Sequence, residues 1–119
     1  MASKAEAKLR AGELLKVTPI GVALEEPVST RLGEAYDEVY ARLQILGLAI
    51  WASSAEMPDE ITPHFVALMA HNKMDALGTS AARYQRILIK VGDNGEKAID
   101  NIRELVYQTF VDESEPEDY

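Results

Sequence analysis

The chain has 119 residues, enough for one domain, and its 47% apolar and 27% charged residues are typical of a folded globular protein rather than a disordered one. It has no cysteine, which excludes disulfides and thiolate metal sites, and its net charge of −8 disfavours a surface that binds nucleic-acid phosphates. No stretch approaches the roughly 20 apolar residues of a transmembrane helix, and the amino-terminal residues lack the apolar region of a signal peptide, so we expect neither.

The first predicted helix begins with a capping box. Ser3 can accept a hydrogen bond from the amide three residues on, and Glu6 can reach back to the Ser3 amide. We expect this helix to run to about Lys16. Its apolar stripe is thin, so we expect it to pack late or at an edge of the fold; the stripe consists of Ala5, Leu9, Ala11, Leu14 and Leu15.

A connection of about twelve residues, VTPIGVALEEPV, follows and contains two prolines and a glycine. Loops of this length in compact domains are usually functional or flexible. We expect this one to wrap the bundle and to bury Ile20, Val22 and Leu24. The carboxylates of Glu25 and Glu26 would need a pocket to act as an acid–base pair, and in a proline-flanked loop the simpler interpretation is that both are solvated.

The second predicted helix starts at a Ser29 or Thr30 cap and ends at Leu46. Gly47 follows, a residue suited to the left-handed backbone of a helix end. One continuous apolar stripe supports this helix: Leu32, Tyr36, Val39, Leu43 and Leu46.

Trp51, the only tryptophan, follows this helix end almost directly. An indole at a corner between two helices buries a large area, while its N–H finds a carbonyl or a water. Because no convergent polar group is visible near it in the sequence, a packing role is favoured over a ligand-binding one.

A third predicted helix begins near Asp59, where two acids complement the helix dipole and Pro63 is tolerated in the first turn. It runs to Leu77, before Gly78. Its middle, FVALMA, is apolar on nearly every side and predicts the most buried helix of the fold.

Two histidines, His64 and His71, lie on one face of this third helix. Two turns separate them by about 10 Å, too far to share one metal ion. Surface or interface positions are the simpler interpretation, and no metal site is predicted.

A cap at Thr79 or Ser80 opens a long helical sequence up to about residue 109. The local sequence GDNG indicates a turn, and Asp93 with Glu96 could cap a fresh helix. An apolar stripe nevertheless stays in phase across the glycines, which favours one long helix, kinked or strained near Gly92 to Gly95, over two helices. The stripe is Tyr84, Leu88, Val91, Gly95, Ala98, Ile102 and Leu105.

Residues 112–119, DESEPEDY, contain five acids and no base, so five of the eight net negative charges lie there and the preceding body carries −3. Two interpretations stay open: a solvated, disordered end, or a segment that orders against a basic partner surface with Tyr119 as an anchor.

The predicted fold is therefore an all-α bundle of four to five helices over residues 1–111, with a long carboxyl-terminal helix and an extended acidic tail over residues 112–119. The predicted core residues are Leu32, Tyr36, Val39, Leu43, Leu46, Trp51, Phe65, Leu68, Ile87, Leu88, Ile102 and Leu105.

No catalytic or cofactor-binding motif is recognisable. Neither histidine comes with a recognisable arrangement of nucleophile and base, and GDNG lacks the Lys-Ser or Lys-Thr that completes a phosphate-binding loop. The sequence predicts no catalytic, metal or cofactor site and favours a protein that assembles with others over an enzyme.

Four stretches in this order carry a family resemblance: AGELLKVTPIG, STRLGEAYDEVYARLQILGLAIWA, MPDEITPHFVALMAHNKMDALG and ARYQRILIKVGDNGEKAIDNIREL. Together they resemble the head-to-tail adaptor proteins of tailed bacteriophages, in particular the tail accessory factors, or packaged-DNA stabilization proteins, of short-tailed phages. The resemblance covers about residues 8 to 106 and consists of helix punctuation rather than a catalytic signature.

The resemblance implies an all-helical virion subunit, assembled in the bacterial host cytoplasm, that forms a homo-oligomeric, dodecameric ring beneath the portal protein. Such a ring extends the DNA channel, helps to retain the packaged genome without sequence-specific binding, and offers a surface for tail or nozzle proteins. An alternative is a small helical regulatory protein that binds a host or phage partner through its acidic tail.

The portal contact of such an adaptor is expected in the carboxyl-terminal segment. As a hypothesis, three aromatic residues anchor this segment on the portal: Tyr107, Phe110 and Tyr119. The acids between them, among them Asp112 and Glu113, face basic portal residues.

Overall fold

The computed structural model describes residues 2–15, 24–52, 55–74, 77 and 80–114, with side chains up to residue 108. Within these ranges the chain forms five helices: α1 (Lys4–Leu14), α2 (Glu26–Ile45), α3 (Thr62–Lys73), α4 (Ala81–Val91) and α5 (Glu96–Ser114). These ranges contain no strand, only an isolated antiparallel bridge between Ala2 and Met57. The predicted all-α bundle with a long carboxyl-terminal helix is confirmed.

The central helix is α3, which packs against each of the other four helices. Its middle, Phe65 to Ala70, is buried at every position, as the apolar sequence there predicted. A helix surrounded by neighbours needs no polar face, which explains why its sequence shows no amphipathic pattern.

The bounds of α3 differ from the prediction at both ends. The helix begins at Thr62 rather than near Asp59, because Pro58 to Ile61 form a preceding turn, in which the Ile61 amide donates to the Pro58 carbonyl at 3.2 Å. It ends at Lys73, before the predicted Leu77, and Gly78 lies outside the described residues.

The first helix, α1, starts at the predicted capping box. The Glu6 amide donates to the Ser3 hydroxyl at 3.2 Å, and the Ser3 amide donates to the Glu6 carboxylate at 3.4 Å. This helix packs against α2 and α3 through Ala7, Ala11 and Gly12, so its buried face differs from the predicted stripe, of which Ala5 is exposed. Small residues let helix backbones approach closely, so α1 makes a tight contact although few of its side chains are large and apolar.

The second helix, α2, begins at Glu26 instead of Ser29 or Thr30, and no side chain caps it. Pro27 occupies its first turn, where a residue without an amide proton is tolerated. The end of α2 is as predicted: Leu46 is the C-cap residue, and Gly47 after it has a φ of 75°. In the connection before α2, Leu24 is partly buried, whereas Ile20 and Val22 lie outside the described residues.

A four-residue turn separates α4 from α5. Ser80 caps α4 by accepting from the Arg83 amide at 3.4 Å, and regular helix stops at Val91 and resumes at Glu96. Between them Gly92 has a φ of 88° and Gly95 a φ of 78°, which are left-handed conformations that favour glycine. The single long helix that the stripe favours is therefore divided into α4 and α5, and the division lies at the glycines where a kink or strain was predicted.

The core has its centre on α3 and includes most of the predicted residues. Leu88 and Leu105 are only partly buried. Leu46 is an exception, with 44% of its surface exposed, because it follows the last turn of α2 and points away from the bundle. The buried residues of the predicted set are Leu32, Tyr36, Val39, Leu43, Trp51, Phe65, Leu68, Ile87 and Ile102.

The helix α5 continues to Ser114 and so extends into the acidic segment 112–119. Residues 115–119 lie outside the described part of the chain. The structure has principal extents of 54 × 27 × 23 Å, which makes it about twice as long as it is wide.

Candidate interaction surfaces

Trp51 belongs to a cluster of four aromatic rings that joins the corner after α2 to α3. Its ring centroid lies 5.5 Å from that of Tyr40 and 5.6 Å from that of Phe65, both in edge-on geometry. The indole N–H donates to the Tyr36 hydroxyl at 3.3 Å, and the Tyr40 hydroxyl donates to the Trp51 carbonyl. Trp51 therefore has a packing role, and its N–H partner is a hydroxyl rather than the expected carbonyl or water.

The two histidines occupy different surroundings. His64 lines a shallow cleft between α3 and α5, and partial burial together with the nearby Lys90 ammonium lowers its pKa. His71 Nε2 lies 3.1 Å from the Asp93 carbonyl oxygen in the turn between α4 and α5. Within the described residues no three His, Asp or Glu side chains are grouped closely enough to hold a metal ion.

The turn between α4 and α5 is held by one carboxylate. Glu96 accepts from the Asn94 amide at 2.8 Å, and backbone N–H groups of the turn, with a smaller contribution from His71, lower its pKa. Arg42 of α2 donates to the Asn94 carbonyl at 2.8 Å. The Glu96 carboxylate and the Arg42 guanidinium thus stabilise the turn, and Glu96 does so as the first residue of α5 rather than three residues after an Asp93 cap.

Ion pairs connect the first three helices. Lys73 Nζ lies 3.1 Å from a Glu38 carboxylate oxygen and 3.8 Å from one of Glu34, which links α3 to α2. Lys4 Nζ lies 2.9 Å from the Asp37 carboxylate and links α1 to α2. These carboxylates therefore pair with lysines of neighbouring helices and link the helices to one another.

Several large apolar side chains are exposed. Three of them flank Gly47 at the end of α2: Ile45 is 86% exposed, Leu46 44% and Ile50 37%. Ile89 on α4 is 69% exposed and Tyr107 on α5 is 60% exposed. The three residues near Gly47 are close together in the sequence, which makes this end of α2 a candidate for a contact with another protein.

Of the five residues expected to contact a portal, Tyr107 is exposed on α5. Phe110, Asp112 and Glu113 belong to the same helix, but only their backbone is described. Tyr119 lies outside the described residues. The four helical members therefore share one element, the last two turns of α5.

A second surface was missed by the sequence reasoning: a basic cleft of about 400 Å³ between α1, α3 and α4. Three cations line it, Arg10 from α1 and Arg83 and Lys90 from α4, together with the Glu13 carboxylate. Its apolar lining residues are Leu14, Pro63 and Val66. The cations come from two helices that are far apart in the chain, so no local sequence motif predicts the cleft.

None of the described helices is both long and apolar enough to cross a membrane. No protein-family model, curated protein or solved structure matches the chain.

Proposed function

We propose that the chain is a structural subunit of the ring adaptor that joins the portal to the tail in tailed, short-tailed bacteriophages. The proposal starts from the sequence resemblance and from an all-α fold compatible with it. The observation that carries it furthest is the elongated shape, 54 Å in its longest dimension, together with an α5 that carries the exposed Tyr107. In this role the protein acts by assembly, and no catalytic step is proposed.

Contacts between sister copies are the first requirement of a ring. The apolar group Ile45, Leu46 and Ile50 lies on the surface of the single chain, where it costs solvation free energy. In a closed ring each copy presents one face to the next, and such a face can cover these side chains. We propose a homo-oligomeric ring on this basis, and its dodecameric stoichiometry is what the sequence resemblance implies.

The portal contact is proposed for the end of α5. Large aromatic side chains supply much of the binding energy in protein interfaces, and Tyr107 is available for that purpose. Phe110 and Tyr119 would add further anchors, while Asp112 and Glu113 would steer the segment toward basic portal residues.

The net charge of −8 suits a channel that DNA passes through. An acidic protein repels phosphates, so DNA is retained by a physical barrier and not by sequence-specific binding. The opposite face of the ring would receive tail or nozzle proteins. The protein would be assembled in the bacterial cytoplasm and function at the portal vertex of the virion.

Co-sedimentation with purified portal rings tests the proposal. We expect the full chain to sediment with the portal, deletion of residues 107–119 to abolish binding, and Tyr107→Ala to weaken it by about ten-fold. Gln108→Ala changes an exposed neighbour on the same helix and should bind like the parent chain. Unchanged portal binding by the deletion variant, with its helices intact by circular dichroism, contradicts this assignment.

A further inference from the structure

The basic cleft stands out against the charge of the whole molecule. Arg10, Arg83 and Lys90 line it beside the single carboxylate of Glu13, so positive charge prevails there on a chain of net charge −8. The effect reaches a neighbouring group, because Lys90 contributes to the lowered pKa of His64. A local positive field of this kind favours an acidic ligand.

The lining of the cleft suits an acidic peptide that also carries apolar groups. The cleft is open to solvent, has a volume of about 400 Å³, and combines cationic side chains with the apolar surfaces of Leu14, Pro63 and Val66. A ligand with carboxylates and one or two apolar groups would complement both parts of the lining.

The chain itself contains a segment of that chemistry. Residues 112–119, DESEPEDY, combine five acids with a proline and a tyrosine and have no base. We propose that the basic cleft of one copy binds the acidic segment 112–119 of a second copy of this chain.

The course of α5 favours a second copy over the same chain. The shallow cleft beside His64, which is separate from the basic cleft, is lined by Glu104, Leu105 and Gln108 of α5. Near residue 105, α5 is therefore level with the first turn of α3. The helix continues to Ser114, roughly 13 Å further along its axis at about 1.5 Å per residue. Residues 115–119 span at most about 17 Å, so a return to the cleft of the same chain would use most of that length.

This contact deepens the proposed function by naming one interaction between sister copies, although it requires neither a portal nor a phage. A segment of one copy in the cleft of the next is a heterologous contact, which links free copies head to tail. Because the same acids are proposed to face a portal, portal binding and cleft binding compete. The cleft contact therefore belongs to the free protein, and in the ring on a portal the sister copies are joined by the apolar group Ile45, Leu46 and Ile50.

Sedimentation velocity on the full-length chain tests the inference without a portal. We expect self-association that weakens as NaCl rises from about 50 to 500 mM, because exposed charge pairs are screened. Arg83→Glu/Lys90→Glu should weaken association at least about ten-fold. Arg31→Glu/Arg86→Glu makes the same change in net charge at exposed positions outside the cleft, and we expect an effect of about two-fold or less.

Mixing two variants identifies the direction of the contact. Glu115→Lys/Glu117→Lys should also weaken association, yet it keeps an intact cleft, whereas Arg83→Glu/Lys90→Glu keeps an intact segment. An equimolar mixture should associate more tightly than either variant alone, which also shows that both are folded.

Three results would overturn the inference. They are a parent chain that stays monomeric at all concentrations, an equal loss in the Arg31→Glu/Arg86→Glu control, and a mixture no tighter than its components. A parent chain that binds its own segment in its own cleft would also stay monomeric, so that outcome is covered by the first result. Cleft-dependent association with no portal binding would overturn the proposed function and leave this contact standing.

Discussion

The indole N–H of Trp51 donates to the hydroxyl of Tyr36 across 3.3 Å. This bond connects the irregular residues after α2 to the middle of α2 itself, inside a cluster where Tyr36 and Phe65 have centroids 5.0 Å apart. Both partners are buried, so the bond is shielded from water. It fixes the direction in which the chain leaves α2 toward α3.

Removal of this bond should be measurable. Trp51→Phe retains an aromatic ring but loses the donor and some volume, so we expect a loss of about 1–2 kcal/mol in the free energy of unfolding. Tyr36→Phe should cost about 1 kcal/mol. The double variant should cost less than the sum by roughly 0.5–1 kcal/mol, because both changes remove the same bond. Urea unfolding followed by circular dichroism measures this, and strict additivity would contradict the pairing.

Two glycines should respond to alanine in opposite directions. Gly95 has a φ of 78°, and an added Cβ would lie 2.7 Å from Leu68 Cδ2, so Gly95→Ala should cost about 1–3 kcal/mol. Gly33 lies within α2, where a Cβ would be 3.6 Å from Lys8 Nζ, an ordinary contact. Gly33→Ala should therefore stabilise by about 0.5–1 kcal/mol.

The same denaturant experiment serves both glycine variants. Gly47 provides a control in which backbone strain acts without a steric clash, because its φ is 75° and an added Cβ would meet nothing within 4 Å. Gly47→Ala should cost about 1 kcal/mol from the backbone alone. A Gly95→Ala variant no less stable than Gly47→Ala would argue against the close packing of Leu68 on the turn.

The sequence predicts helix ends best where adjacent residues specify the geometry. Ser3 with Glu6 and Ser80 set two starts through side-chain hydrogen bonds, and Gly47 marks one end through its backbone freedom. The observed starts of α2 and α3 differ from the prediction, because the polar side chains that suggest caps or dipole partners there do not cap either helix. Both helices instead begin around a proline in the first turn, without a side-chain cap.

Stability should depend on pH through His64. Burial and Lys90 lower its pKa from the ordinary 6.5, so the unfolded chain binds this proton more readily. The contribution of neutral His64 is therefore complete above pH 6.5 and declines as the pH falls toward the lowered pKa. We expect a plot of unfolding free energy against pH to be flatter below pH 6.5 for His64→Gln than for the parent chain.

A second variant isolates one cause of that shift. Lys90→Met removes the positive charge next to His64, so an NMR titration of the His64 ring should show a higher pKa than in the parent chain. Equal slopes for His64→Gln and the parent chain, or an unchanged titration in Lys90→Met, would contradict these assignments.

The candidate surfaces were less accessible to sequence reasoning than the fold. Tyr107 is one of two aromatic residues near the end of α5, and it is exposed. The basic cleft depends on the approach of Arg10 to Arg83 and Lys90, which only the packing of α1 and α4 around α3 creates. Ile45 and Leu46 are apolar and yet exposed, because an apolar stripe in the sequence does not show where its helix extends beyond the core.

Electron microscopy of the purified chain mixed with portal rings tests the central claim most directly. We expect a continuous ring of this chain on one end of the portal, with the end of α5 in the contact and one copy for each portal subunit. Bare portal rings, with the chain remaining monomeric at the same concentrations, would contradict the account and favour a regulatory protein that acts through its acidic segment.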